Sequence, residues 1–285
     1  MKKGMLAALM FVSINSYSYF DGGINYVTGK DGYQGQDIYM IIGKNNWWLR
    51  PEYSTWKTDT TQRINKFSTR LGFEKETYTL AFEGGFTPEN NSYKNVMLGG
   101  DITFSLNPTS SSKRRIAGPN SGFVSRGAKG VTQIDLGAGA RIVAHTYTAS
   151  DTDLRELDTF LFAGAKVFLT QLSVNYTVYT YDKESLAKTQ APGNNKAYGM
   201  NSYFPVFLKS NFNFKVEIPG SPMVTPYISY NKLKSKSDDS LNVYAFGGYI
   251  DLAMIGVTAQ FETYKGDMTN DKRYNYLSVS AGLRF

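Results

Sequence analysis

The sequence contains no cysteine and only one histidine, His145, in 285 residues. Without cysteine the chain has no disulfide framework, no thiolate metal site and no cysteine nucleophile. It also lacks long apolar runs, because beyond its first twenty residues no segment approaches the ~18 apolar residues that a membrane-spanning helix needs. The mean hydropathy is -0.34. These absences exclude a helical membrane protein and a disulfide-stapled secreted domain.

Aromatic residues and glycine are abundant, with 21 Tyr, 18 Phe and 27 Gly. A sequence that is polar on average, aromatic-rich and alternating fits a barrel with a lipid-facing surface and a wet interior. The formal net charge is +7, but no dense basic cluster accompanies a known nucleic-acid-binding module, so we predict no nucleic-acid binding. We predict no cofactor, since Gly137–Ala140 lacks the third glycine of a dinucleotide fingerprint. No metal is predicted either, because the acids at 151–158 lack the glycine of a calcium loop.

The amino-terminal segment is typical of a secretory signal peptide. Lys2 and Lys3 precede an apolar run from Met5 to Ile14, and Ser16-Tyr17-Ser18 forms a small-x-small cleavage site. No cysteine follows this site, which excludes lipoprotein processing. We therefore predict a signal peptide over residues 1–18. Residues 19–285 form a single domain in this prediction, because no linker-like change in composition divides them.

Apolar residues alternate with polar ones through about fourteen segments. In Asn65–Phe73, for example, Phe67 and Leu71 face one way while Lys66 and Arg70 face the other. We predict an all-β protein, a transmembrane antiparallel up-and-down β-barrel of about fourteen strands, with twelve as the alternative. An even number places both termini at the periplasmic end, where most connections are tight. The predicted strands include Thr159–Phe168 and Val206–Ile218, with 182–200 as an external loop.

The last nine residues, Leu277–Phe285, carry apolar side chains at every second position and end on an aromatic. This ending resembles the carboxy-terminal recognition signal of bacterial outer-membrane β-barrels, although Ser280 stands where glycine is more usual. The resemblance implies an outer-membrane location, contact with outer-membrane lipid and lipopolysaccharide, and assembly by the barrel-assembly machinery. In size the chain is similar to the monomeric fourteen-strand porins. The residues that would form the assembly signal are Leu277, Val279, Leu283 and Phe285.

One connection is too long for a periplasmic turn. Residues 107–130 separate two predicted strands by about two dozen residues and contain five basic residues and no acid. We expect this segment to enter the lumen as a plug or to dock a periplasmic or envelope partner. A solvated turn is the alternative. The basic residues of the segment are Lys113, Arg114, Arg115, Arg126 and Lys129.

Strand parity assigns charges of both signs to the lumen. Such charges are tolerated only where water or a partner group solvates them. A fourteen-strand bore is wide enough for water and small solutes unless a segment fills it. Mixed charge predicts weak ion selectivity, with a mild anion preference if the basic segment enters the lumen. The predicted lumen residues are Arg50, Glu52, Lys66, Arg70, Glu83, Asp101, Asp135, Arg141, Lys209, Lys215, Glu217 and Glu262.

Three functions remain open at the level of sequence. We favour a passive porin-like channel for small hydrophilic solutes over an enzyme. The second is a non-conducting interaction barrel, acting as an anchor, an adhesin or a partner in an envelope complex, with 107–130 or 182–200 occluding its bore. The third is a rim hydrolase that uses His145. However, His145-Thr146-Tyr147 does not resemble the His-x-Ser pattern of the barrel phospholipases, and a nucleophilic group needs a held serine.

Overall fold

The computed structural model describes residues 19–106, 115–119, 132–189, 196–204, 206–219, 224–252 and 254–284. The predicted signal peptide lies outside these residues, as does Phe285. Within the described ranges, no helix has the length and apolar character needed to cross a membrane.

Fourteen β-strands make up most of the described chain, and each overlaps one of the predicted segments. One short α-helix, α1 (Glu184–Thr189), follows the ninth strand. The strands are β1 (Tyr19–Gly29), β2 (Gln34–Lys44), β3 (Trp47–Lys57), β4 (Ile64–Glu74), β5 (Tyr78–Asn90), β6 (Tyr93–Leu106), β7 (Thr132–Tyr147), β8 (Thr152–Val167), β9 (Thr170–Tyr181), β10 (Leu208–Glu217), β11 (Val224–Ser235), β12 (Ser240–Leu252), β13 (Ile255–Lys265) and β14 (Tyr274–Arg284).

The strands form a closed antiparallel barrel in sequence order. Each strand pairs with the next, and β14 returns to pair with β1, with Asn25 opposite Ser280 at the seam. Closure leaves no sheet edge with unpaired backbone groups, which is the condition for spanning lipid with strands. The predicted up-and-down barrel of fourteen strands is confirmed. We call the end that holds Tyr19 and Arg284 the termini end, and the other the far end.

The distribution of polar and apolar side chains is inverted relative to a soluble protein. Leu161 on the outer surface is 65% exposed, whereas Asp135 on the inner surface is fully buried. Large apolar side chains are exposed in the same way around nearly the whole wall. Exposing one such side chain to water costs about 1.5–3 kcal/mol relative to burying it, so a continuous band of them is stable only against lipid. The outer surface is therefore lipid-facing.

Two of the connections are long, and both send residues into the barrel. One joins β6 to β7 at the termini end, and the other joins β9 to β10 at the far end. The wall also differs from the prediction, because β8 begins at Thr152 and not near Thr159. Its first residues place Glu156 and Asp158 inside the barrel. The alternation of apolar and polar residues is hard to recognise at the start of β8, because the inward positions are charged and the outward Arg155 is also charged.

The lipid-facing band predicts a depth-dependent cost of charge. Leu161→Arg, near the middle of β8, should lower the free energy of unfolding by about 2–4 kcal/mol, because Arg at the bilayer midplane is poorly solvated. Leu106→Arg, at the end of β6, should cost about 0–1 kcal/mol. Denaturant unfolding in lipid vesicles measures both values. Equal costs at the two positions would contradict the assigned membrane band.

Candidate functional site

Inward-facing charges gather on one side of the lumen. Arg50 forms a salt bridge with Glu52 at 2.9 Å. Arg70 forms one with Glu83 at 2.6 Å and another with Asp101. The register places these pairs at one level, because Arg50 lies opposite Arg70 and Arg70 lies opposite Glu83. The same layer continues to β7 and β8. We call this group the charged wall: Arg50, Glu52, Lys66, Arg70, Glu83, Asp101, Arg141 and Asp158.

A glycine in the middle of the charged wall allows its members to come close. Gly99 on β6 lies opposite Glu83 on one side and Arg141 on the other. A Cβ atom at this position would be 3.0 Å from both the Glu83 Oε1 atom and the Arg141 Cβ atom. The missing side chain therefore makes room for two long charged groups in the layer. Arg141 then reaches across to Asp158, with 2.7 Å between Nε and Oδ2.

Two of the four acids of the charged wall are covered more completely than their cationic partners, whereas Glu52 and Glu83 are about as exposed as Arg50 and Arg70. The side chain of Asp101 is 0% exposed, against 12% for Arg70. The side chain of Asp158 is 1% exposed, against 27% for Arg141. Lys66 has no ion pair among the residues that the structure describes. The wall is thus close to neutral in total charge, but the surface that it presents to water is enriched in cations.

Other predicted lumen residues face inward but lie apart from the charged wall. Asp135 accepts hydrogen bonds from Ser105 near the termini end. Lys215 pairs with Glu217 and lies 4.3 Å from the centre of the Tyr227 ring. Glu262, on the far half of β13, accepts a hydrogen bond from the Gln260 amide at 2.6 Å. These residues form hydrogen bonds and ion pairs in other parts of the barrel interior.

Lys209 is the one predicted lumen residue that the structure places outside the lumen. Its side chain is exposed at the far end and bonds Asp238 at 2.8 Å. The register of β10 against β11 is irregular between Leu208 and Ser210. This irregularity reverses the parity at the start of the strand, so counting back from Asn211 by twos gives the incorrect face for Lys209.

The β6–β7 connection enters the barrel at the termini end. We call Arg115–Pro119 the lower insert. The guanidinium of Arg115 is buried and donates to the Thr79 hydroxyl at 2.7 Å and to the Lys75 carbonyl at 2.6 Å. Ile116 donates its backbone N–H to Asp135. Arg115 thus lies inside the barrel at this end, while the role of the segment as a plug or docking element stays a prediction. Lys113, Arg114, Arg126 and Lys129 lie outside the described residues.

The β9–β10 connection enters the lumen from the far end. We call residues 196–204 and 206–207 the lumen strap. Tyr203 stacks on Trp56 with 3.7 Å between ring centroids and 6° between the ring planes. Asn201 donates from its backbone N–H to Glu262 and from its side chain to Ser278, at 3.1 and 2.9 Å. The lumen strap is thereby attached to β3, β13 and β14, which lie within four strands of one another around the barrel.

The lumen strap lies close to the wall at Gly199 and meets the lower insert at Tyr198. Gly199 has φ +83, and a Cβ atom there would be 2.4 Å from the Asn213 side chain. Glycine fits because it adopts this conformation freely and leaves room for the neighbouring amide. The Tyr198 hydroxyl donates to the Gly118 carbonyl at 3.1 Å. The two inserted segments are therefore in contact inside the barrel.

Lys196 adds a further cation to the lumen. Its ammonium group lies 3.1 Å from the Asp37 carboxylate. Burial opposes the charge on Lys196, but the attraction of Asp37 and Glu52 outweighs it and raises the pKa of Lys196 above its ordinary value. Lys196 therefore stays protonated throughout the physiological range of pH. Sequence parity could not find this residue, because it belongs to no strand.

His145 is inaccessible in this structure. Its side chain is 1% exposed and is covered by Phe207, whose ring meets it edge-on at 5.2 Å between centroids. The Nδ1 atom lies 2.7 Å from the Tyr93 hydroxyl, and the Nε2 atom lies 3.6 Å from Glu156. The imidazole points into the barrel. A covered imidazole offers no open face to a substrate.

Comparisons with known proteins identify the fold. No protein-family model and no curated protein sequence matches the chain. OprB of Pseudomonas putida superposes with a TM-score of 0.51 at 6% identity, covering 98% of this chain and 97% of that one. CdiB from Acinetobacter baumannii gives a TM-score of 0.52 at 10% identity over 94% of this chain and 60% of its own. A KdgM porin gives 0.44 at 7% identity, over 93% and 99%.

The chain has the outer-membrane β-barrel fold. Identities this low carry no information about individual residues, so the assignment of the lumen residues rests on the geometry of this barrel alone. The outward side chains of Leu277, Val279 and Leu283 on β14 are consistent with this fold, since all three are nearly half exposed. Their use as an assembly signal stays a prediction.

The stacked pair Trp56–Tyr203 predicts how the lumen strap is held. Tyr203→Ala removes a buried aromatic, a change that costs about 3–5 kcal/mol in well-packed sites, and should release the strap while the closed barrel persists. Limited proteolysis should then cut between residues 182 and 207 much faster than in the unaltered protein. Tyr176→Ala, on the lipid-facing surface, is the matched control and should leave cleavage unchanged. Equal cleavage in both variants would show that the stack does not retain the strap.

Proposed function

We propose that this protein is a passive, porin-like outer-membrane channel for small hydrophilic solutes, with a constricted lumen of mixed charge. The observation that carries the proposal is the charged wall. Its ion-paired side chains face inward in a closed barrel, yet those of Arg50, Glu52, Arg70, Glu83 and Arg141 keep between 12% and 27% of their surface accessible. Charges of this density are stable only in contact with water.

The two inserted segments leave a passage of limited width in this proposal. The lumen strap occupies the far half of the barrel, where Tyr203 lies on Trp56 and Asn201 on Ser278. The lower insert occupies the termini end near Asp135. The charged wall lies between these levels on β3 to β8, where side chains remain accessible. The solute path follows this wall, and the strap sets its narrowest point.

Weak anion preference follows from the arrangement of the ion pairs. Asp101 and Asp158 are covered, while the side chains of Arg70 and Arg141 stay partly accessible. An ion in the passage therefore meets more accessible cations than accessible acids. Fixed charge lining a pore sets its selectivity, and mixed charge keeps that selectivity small. The preferred solutes are therefore small hydrophilic anions, with neutral solutes also admitted.

One observation favours a second candidate, the non-conducting interaction barrel. The hydrogen bond between Tyr198 and Gly118 joins the lumen strap to the lower insert across the middle of the barrel. If both segments stay in place, the bore is closed and the protein acts through a periplasmic or envelope partner. A rim hydrolase has no comparable support, because Phe207 covers His145.

Planar bilayer recording on the refolded protein separates the two candidates. The channel proposal expects discrete open steps from the unaltered protein, and larger steps from Tyr203→Ala, whose strap no longer narrows the path. Tyr176→Ala should behave as the unaltered protein. A folded barrel that stays silent both with and without the Tyr203 side chain would reject the channel and favour the interaction barrel.

Lys66 offers the cleanest test of ion preference. Because it has no ion pair among the described residues, Lys66→Gln removes a lumen cation without leaving a buried acid uncompensated. The reversal potential under a salt gradient should shift toward cation preference by a few millivolts or more. Lys94→Gln, at an exposed position on the outer surface of β6, is the matched control and should give the unaltered reversal potential. An identical reversal potential in both variants would remove Lys66 from the solute path.

A further inference from the structure

Two lysines form a row on the lipid-facing side of the barrel at the far end. Lys232 on β11 lies opposite Asn242 on β12, and Asn242 lies opposite Lys265 on β13. The side chains of both lysines are exposed, and their neighbours Leu233 and Tyr264 are buried, so both lysines point outward. Two strand spacings separate them, which is about 10 Å.

The nearby acids are already engaged. Asp238 bonds Lys209 at 2.8 Å and Lys234 at 3.3 Å. Asp267 accepts two hydrogen bonds from Ser240, one from the backbone and one from the hydroxyl. Lys232 and Lys265, by contrast, have no ion pair with any residue that the structure describes. The row therefore presents two cations that have no salt-bridge partner among the described residues.

An aromatic pair indicates how deep this row lies relative to the membrane. Tyr230 and Tyr244 also face outward, two residues nearer the barrel centre than Lys232 and Asn242, with 5.2 Å between their ring centroids. Below them lie Ile228 and Phe246, which are about half exposed. Tyrosine girdles mark the boundary between hydrocarbon and headgroups. With a rise of about 3.3 Å per residue, the lysines lie roughly 7 Å beyond the tyrosines, at the level of lipid headgroups.

The Tyr230 hydroxyl connects the girdle to the row. It donates to the Asn242 side-chain carbonyl at 2.7 Å. This bond leaves the amide nitrogen of Asn242, which lies between the two lysines, able to donate to a ligand. One neutral donor flanked by two cations is a suitable surface for an anion that has several acceptor oxygens.

We infer that this row binds a phosphorylated glycolipid of the outer leaflet, with one phosphate at Lys232, a second at Lys265 and acyl chains against Ile228 and Phe246. The membrane-facing position excludes a soluble anion as the main occupant, because the surface below the row is apolar. The spacing of about 10 Å favours a headgroup with two phosphates over a lipid with one. The far end is the external end in the predicted orientation, which is the leaflet where such a lipid resides.

The other side of the barrel lacks this arrangement and supplies the control. Lys94 on β6 also points outward at the far end, opposite Thr146 on β7. Thr146 in turn lies opposite Asp153 on β8. On this side Lys94 has an acid, Asp153, two strands away at its own level, where Lys232 has a second lysine, and the outward Arg155 lies nearer the barrel centre. A lysine with an acid at its own level should bind a doubly phosphorylated headgroup less tightly than two lysines do.

The test is native mass spectrometry of the refolded protein, titrated in detergent with diphosphoryl lipid A, monophosphoryl lipid A and phosphatidylglycerol. We expect the order of affinity to follow that sequence. The double variant Lys232→Gln/Lys265→Gln should lose at least tenfold in affinity for the diphosphoryl lipid, and Lys94→Gln should match the unaltered protein. Heat-modifiable gel mobility should show all variants to be folded, since the substituted side chains lie on the surface.

Two results would overturn the inference. One is unchanged binding of the diphosphoryl lipid by the double variant. The other is equal binding of lipid A and phosphatidylglycerol by the unaltered protein, which would indicate general attraction to anionic lipid and not a site for two phosphates. Neither result depends on channel conductance, so a failure of the lipid site can be distinguished from a failure of the proposed channel function.

Discussion

The pairing of β1 with β14 is the contact on which the other features of this protein depend. By closing the sheet, it satisfies the last free row of backbone donors and acceptors, without which the wall could not lie in lipid. Closure also divides every strand into an outer apolar face and an inner polar face. The charged wall, the lumen strap and the lower insert all lie in the space that this seam encloses.

The interior is organised by ion pairs in the charged wall and by aromatic packing at the far end. Breaking one buried pair leaves an uncompensated charge, which typically costs 3–5 kcal/mol. The arginines of the charged wall therefore contribute to the stability of the barrel as well as lining the proposed passage. The two inserted segments follow the same rule, since Arg115 and Lys196 each enter together with fixed acceptors, the Lys75 carbonyl and the Asp37 carboxylate. Paired charge lines the charged wall, while a buried cluster that includes Trp56, Tyr203 and Phe207 packs the far half of the lumen.

The sequence was sufficient to predict the strands of the barrel but not the segments inserted into its lumen. Alternation over segments such as Asn65–Phe73 depends on backbone geometry alone, so it predicted the strands, their number and the face of Arg70. The lumen strap carries no such period, because Lys196 and Tyr203 are placed by tertiary contacts with distant strands. Lys209 was assigned to the lumen because a register irregularity cannot be read from alternation.

The two inserted segments give the two ends of the lumen different charged and aromatic groups. The far end carries Lys196 and the Trp56–Tyr203 stack, whereas the termini end carries Arg115, whose guanidinium is buried. The electrostatic profile along the axis therefore has no mirror symmetry. In the proposed channel, an asymmetric profile gives unequal current at equal and opposite voltages, so we expect the current to rectify.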